Sequence, residues 1–119
     1  MAELEAEPPL KAEPPMLRID MRLDPTGAQV VTLAGELDSS NAATLQERVA
    51  SIPPRLAAPL IFDLTGLRFM DSAGIAVLIG AAAKASSVSL RNPSPIIRRV
   101  LEATGLTGVF LIESRAIES

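Results

Sequence analysis

One hydroxyl in this chain stands between an acid and two small residues. Phe69-Met70-Asp71-Ser72-Ala73-Gly74 lies where an apolar run gives way to an alanine-rich one. Such a serine can attack a substrate, cap or decorate a helix start, or be modified by another protein. The first use needs a general base, and the chain has no His to take the proton. A Ser-His-Asp arrangement therefore cannot be assembled. The absence of Cys removes thiolate chemistry, disulfides and Cys-ligated zinc. The phosphate-binding patterns G-x-G-x-x-G and G-x-x-x-x-G-K-[ST] are both missing, and no acidic run has calcium-loop spacing. The reading is of a non-enzyme with no cofactor and no metal.

The other polar residues worth noting sit where strands give way to helices. Gly35-Glu36-Leu37-Asp38 leads to Asn41, a helix-capping residue type, and Asp63-Leu64-Thr65-Gly66 has turn chemistry. If Asp71 is an N-cap, Ser72 is the first helical residue, facing solvent beside unpaired backbone N–H groups. The residues alone favour a capping or merely exposed hydroxyl at Ser72. They read Asp71 as a cap, Asp63 as a hydrogen-bonded structural residue, and Asp38 as either a turn former or a recognition carboxylate.

These positions need elements to hold them. Leu17 to Leu23 alternates apolar and polar with period two, Asp24-Pro25-Thr26-Gly27 can turn, and Ala28 to Leu33 reads as a second strand. A helix follows Asn41, with Ala42, Leu45 and Val49 on one face and Pro53-Pro54 closing the segment. Pro59 to Leu64 is almost wholly apolar, as a strand inside a covered sheet would be. A helix is predicted from Ser72 to Ala85 and a short strand over Val88 to Arg91. Ser94-Pro95 marks a further helix start and Gly105 its left-handed stop, before a last strand over Val109 to Ile112. The order β-β-α-β-α-β-α-β predicts a single α/β domain over 17–119. Its sheet is mixed and mostly parallel, of about five strands, with helices packed on it.

Composition sets the remaining bounds. Apolar residues make up 48% of the 119 and aromatics only 3%, so Leu, Ile, Val and Ala must build the core. Residues 1–16 hold AEPP twice and carry four Glu against one Lys, so they read as a disordered acidic Pro-rich tail. That tail carries the whole net charge of −3, leaving the rest neutral. A neutral body without Tyr or Trp argues against nucleic-acid binding. The apolar stretch Ala73–Ala83 falls well short of the roughly 20 residues a membrane span needs. The N-terminus lacks an apolar signal region. A cytoplasmic protein with no membrane contact is expected.

GELDSSNAATL, FDLTGLRFMDSAGIAVLIG and NPSPIIRRVLEATGL, in that order and at these separations, resemble the hallmarks of bacterial anti-sigma factor antagonists, the STAS domain family. The likeness covers about residues 17 to 112. It implies a regulator that takes part in partner switching: it binds an anti-sigma factor that is itself a serine kinase, a GHKL-type ATPase, and releases its sigma factor. Phosphorylation of Ser72 would inactivate it, and a phosphatase acting on phospho-Ser72 is a further implied partner. Carried over with Ser72 as partner-binding positions are Asp38, Asn41, Asp71, Ala73, Gly74 and Ile75, with Asp38 near the acceptor and Gly74 allowing close backbone approach. The alternative is a STAS module serving as a structural subunit of a larger transporter-associated or stress-sensing complex.

Three departures from the family's pattern stand out. Ala73 replaces a second serine, the stretch from Gly80 to Asn92 is several residues short, and the usual C-terminal helix is reduced to about one turn. The last would leave the final strand less covered, so a monomer or weak dimer is expected.

Overall fold

The computed structural model describes residues 17–53, 59–108 and 110–113. The tail over 1–16, Pro54 and the C-terminal turn lie outside the described residues. Strand β1 (Leu17–Leu23) pairs antiparallel with β2 (Gln29–Leu37), and their hairpin closes through the Asp24-Pro25-Thr26-Gly27 turn. Asp24 Oδ1 accepts from Thr26 N, Thr26 Oγ1 and Ala28 N, and Gly27 adopts a φ of +91° that few side chains tolerate.

From β2 onward the sheet is parallel. Helix α1 (Ala42–Ala50) leads to β3 (Leu60–Met70), α2 (Ser72–Ala82) to β4 (Val88–Arg91), and α3 (Pro95–Ala103) to β5 (Leu111–Glu113). The spatial order is simply β1-β2-β3-β4-β5. Each crossover therefore steps to the next strand in the same direction, and right-handed crossovers then place all three helices on one face. Burial agrees. Val31, Leu33, Phe62, Leu64 and Leu90 of the sheet share a core with Leu45, Leu78, Ile97 and Leu101 of the helices. Alternate residues Ala28, Val30 and Ile61 form a separate small cluster. The expected mixed, mostly parallel five-stranded sheet is thus present.

The two strands that carry the candidate site run further than their apolar stretches. β2 continues four residues past Leu33, and β3 six past Leu64. The D-x-T-G chemistry at Asp63 does not end β3. Asp63 Oδ1 accepts from Thr65 N at 3.1 Å and from Thr65 Oγ1 at 2.7 Å, and the register slips there, so the segment forms a bulge inside the strand. A second slip falls between Gly35 and Glu36. Beyond the bulge β3 has outrun β4, so Thr65 and Arg68 are exposed although they lie in a strand. α2 ends at Ala82, three residues before the predicted Ala85.

α3 follows the predicted signals closely. Ser94 is its N-cap, accepting from Ile97 N, Pro95 opens it, and Gly105 follows with φ +74°.

Candidate functional site: the Asp71–Ser72 turn

The turn is built from the strand ends inward. Leu37 and Met70 are register partners at the last rung of β2 and β3, and the Asp71 N–H donates to the Leu37 carbonyl at 3.2 Å. That bond ties the start of α2 to the end of β2. It also brings Asp38, the next residue along β2, to the same carboxyl edge as Asp71. Working surfaces of parallel sheets lie at this edge.

Asp71 is the N-cap of α2 in an extended conformation, and its Oδ1 accepts from Ala73 N at 2.9 Å and Gly74 N at 3.3 Å. Two of the helix's orphan donors are thereby satisfied. Ser72 is the first helical residue and is exposed, and its hydroxyl has no hydrogen-bond partner among the described residues. The cap thus fixes the backbone while leaving the hydroxyl facing outward.

The close approach that Gly74 allows is that of the helix start to the protein's own sheet. A Cβ there would meet Leu37 Cγ at 2.7 Å, Leu37 Cδ2 at 2.8 Å and Met70 Cγ at 2.8 Å. The side chains from the final strand rung occupy that space, so the helix start can seat on the sheet only without a side chain at this position. Ile75 is likewise turned inward, at 5% exposure, and packs in the core. Of the residues carried over as partner-binding, Ser72 is exposed, Asp38, Asn41, Asp71 and Ala73 are half-buried, and Gly74 and Ile75 are buried.

Asn41 occupies the N-cap position of α1, but its side chain makes no capping bond. It points back to the end of β2, where Oδ1 accepts from Asp38 N at 3.0 Å and Nδ2 donates to the Glu36 carbonyl at 2.9 Å. The amide bridges two backbone groups that the strand has left unpaired, and it holds the Glu36–Asn41 loop in shape. Asp38 Oδ1 accepts from Ser40 N at 2.9 Å and Ser40 Oγ at 2.6 Å. The Ser40 hydroxyl, more than its N–H, holds the Asp38 carboxyl below the ordinary value of 3.8. Asp38 is therefore a charged turn former.

Nearby features complete the edge. Arg68 and Glu36 form an ion pair at 3.3 Å across β3 and β2. Asn92 adopts φ +56° after β4, donates to Thr65 Oγ1 at 3.1 Å, and receives no hint from periodicity. Phe69 and Ile79 are exposed large apolar side chains. A cleft of about 750 Å³ opens between α1 and α2 and is lined by Ala73, Gly80 and Lys84, but Ser72 and Asp38 do not line it. Among the described residues no group of three or more acids, His or Cys could hold a metal. No described helix is long and apolar enough to cross a membrane. The site is thus an exposed hydroxyl at the first position of α2, with the Asp71 and Asp38 carboxylates at the same sheet edge.

The family model described as Mlab, STAS domain, matches residues 21–113. The chain belongs to the STAS domain family. This STAS domain is 34% identical over 82 residues to an anti-sigma F factor antagonist of Lysinibacillus sphaericus, covering 65% of this chain and 70% of the relative. It is 28% identical over 97 residues to the anti-sigma-F factor antagonist RsfB of Mycobacterium tuberculosis, covering 76% and 77% of the two chains. In three dimensions it matches the crystal structure of an anti-sigma factor antagonist from Mycobacterium paratuberculosis with a TM-score of 0.72 at 26% identity, over 86% of this chain and 89% of that one. The sheet order and the three crossover helices of the STAS domain are those that bring Asp38 and Asp71 to one edge.

Proposed function

We propose that this STAS domain is an anti-sigma factor antagonist, a regulatory binding protein rather than an enzyme, acting in the cytoplasm. Its partner is an anti-sigma factor that is itself a serine kinase. Binding releases the sigma factor, and phosphorylation of Ser72 ends the binding. The observation that carries the reading is the exposed Ser72 hydroxyl, presented by the Asp71 cap at the first position of α2. Relatives that carry the antagonist name support the partner class.

The physical chemistry of the turn suits a switch. A phosphate adds about −1.5 to −2 charges. At the start of α2 it would sit near helix N–H groups and the positive end of the dipole, so the fold tolerates it. A partner packed on the turn would meet that charge and bulk beside Asp71, with the charged Asp38 along the same edge. A coupling of only about 2–3 kcal/mol weakens binding roughly 30- to 150-fold. That is enough to reverse a competition between two partners of similar affinity.

The test is chemical. Incubation with the kinase and ATP should add one phosphate to the intact mass, the site should map to Ser72, and Ser72→Ala should gain none. Modification of Ser72→Ala at the wild-type rate would remove Ser72 from the mechanism.

A further inference from the structure

We propose that the open edge of β1 joins two copies of this chain, paired antiparallel about Met21 into one continuous sheet with five strands from each copy. β1 is an outermost strand of the sheet, and all seven of its residues pair with β2 without a slip. It holds no Pro and no bulge, devices that commonly keep such an edge from pairing.

The backbone decides which residues can pair. The Gln29 N–H donates to the Pro59 carbonyl at 3.1 Å, so it is turned away from β1. Leu23, opposite Gln29, therefore sits in a non-hydrogen-bonded pair, and the alternation repeats at Met21, Ile19 and Leu17. These residues direct their N–H and C=O groups to the open edge. An antiparallel second copy must set its own odd-numbered residues against them. The registers with the most overlap centre on Ile19, Asp20 or Met21.

Charge selects among the three. Ile19 and Met21 pack toward the helices, so Arg18, Asp20 and Arg22 lie exposed on the helix-free face. Among the described residues none of these three makes an ion pair. Centring on Asp20 sets Asp20 against Asp20 and Arg18 against Arg22, which is repulsive throughout. Centring on Ile19 gives two Arg18–Asp20 pairs but carries Leu23 past the start of the described strand of the second copy. Centring on Met21 gives two Asp20–Arg22 pairs and two Arg18–Asp24 pairs. On the helix side it sets Met21 against Met21 and Ile19 against Leu23. Leu23 is 52% exposed beside the β1–β2 turn, and this register gives it an apolar neighbour. A two-fold axis through this edge turns the carboxyl ends of the two parallel halves in opposite directions. Both Asp71–Ser72 turns then remain open, one at each end of the joined sheet.

Sedimentation of the full-length protein over a range of concentrations provides the test. Wild type should pass from monomer to dimer as concentration rises. Arg22→Asp and Asp20→Arg each create two like-charge pairs, and each should weaken the dimer at least fivefold. The double variant Asp20→Arg/Arg22→Asp restores opposite charges and should recover most of that loss. All three changes are on exposed side chains, so melting at low concentration should match wild type. The chain has no Cys, so single cysteines report the register. Met21→Cys should form a disulfide dimer on mild oxidation, because hydrogen-bonded partners lie about 5.5 Å apart at Cα. Ile19→Cys should not, because it faces Leu23. A monomer at every concentration overturns the proposal. So does a dimer indifferent to the single charge reversals, a double variant no better than either single one, or cross-linking through Ile19→Cys instead of Met21→Cys. Weaker anti-sigma factor binding by Arg22→Asp, in a chain that never dimerises, also overturns it by making the edge an acceptor for another protein's strand.

Discussion

The backbone N–H of Asp71 donates to the carbonyl of Leu37 at 3.2 Å. Through this bond the end of one strand positions the cap of the helix that starts after its neighbour. The serine that follows the cap, Ser72, is placed by the sheet rather than by its own contacts. The strength of that seating can be probed from each residue that makes it.

Glycine on α2 should behave in opposite ways at two positions. Gly74→Ala drives a methyl to within 2.8 Å of Leu37 and Met70, both essentially inaccessible, so neither can yield freely. Overpacking of about 1–3 kcal/mol then outweighs the helix-propensity gain of about 1 kcal/mol. Gly80→Ala meets nothing within 4 Å and should keep that gain. Denaturant midpoints should move down for the first variant and up for the second.

Removal of the cap should cost stability and loosen the switch together. Asp71→Ala orphans Ala73 N and Gly74 N and should destabilise by about 1 kcal/mol. For a domain of this size that corresponds to a fall in Tm of about 4–8 °C. Amide exchange should quicken at Ala73 and Gly74 before it does in the sheet. Asp71→Asn, which still presents an acceptor oxygen, should recover most of the loss.

Asn41 should matter to the β2 edge rather than to α1. Asn41→Ala removes one acceptor and one donor bond, at Asp38 N and the Glu36 carbonyl, and about 1–2 kcal/mol is expected. Asn41→Asp keeps the acceptor and loses the donor, so it should fall between. Were the side chain an ordinary helix cap, Asp and Asn would be equivalent.

The Asp38 carboxyl gives a pH signature. Its folded value lies below 3.8 because Ser40 donates to it through both hydroxyl and N–H. A depressed acid stabilises the fold above its unfolded value, and that contribution is lost as the pH falls through the folded value. The window lies below 3.8. In Ser40→Ala the Asp38 titration, followed by carboxyl carbon NMR, should move up toward that value. Asp24, held down chiefly by the Thr26 hydroxyl, should respond to Thr26→Val in the same direction.

How much of this was legible in the sequence depended on the range of the forces involved. Asp71 and Ser94 were readable as caps because a cap and its N–H partners lie within three residues. The order of elements followed from alternation and apolar runs, but the order of strands within the sheet did not, because the handedness of a crossover fixes its side and not which strand lies adjacent. Nor did the lengths of β2 and β3. Glu36, Thr65 and Arg68 interrupt the apolar pattern because these strands overhang β4, and only the pairing of β2 with β3 keeps them extended. The Asp63-Leu64-Thr65-Gly66 segment has the side-chain bonds of a turn, yet the neighbouring strand converts it to a bulge. At Asn41 the capping position was right and the side-chain partners were not, because these belong to the end of β2. Gly74 and Ile75 face the core for reasons that lie in Leu37 and Met70, beyond the reach of local pattern.

The most direct test of the account is the affinity of the cognate anti-sigma factor for three forms of this domain, measured by calorimetry. Ser72→Ala should bind like the unmodified wild type, whereas phospho-Ser72 protein and Ser72→Glu should bind at least roughly 30-fold more weakly. Equal affinity for the phosphorylated and unphosphorylated proteins would contradict the central claim.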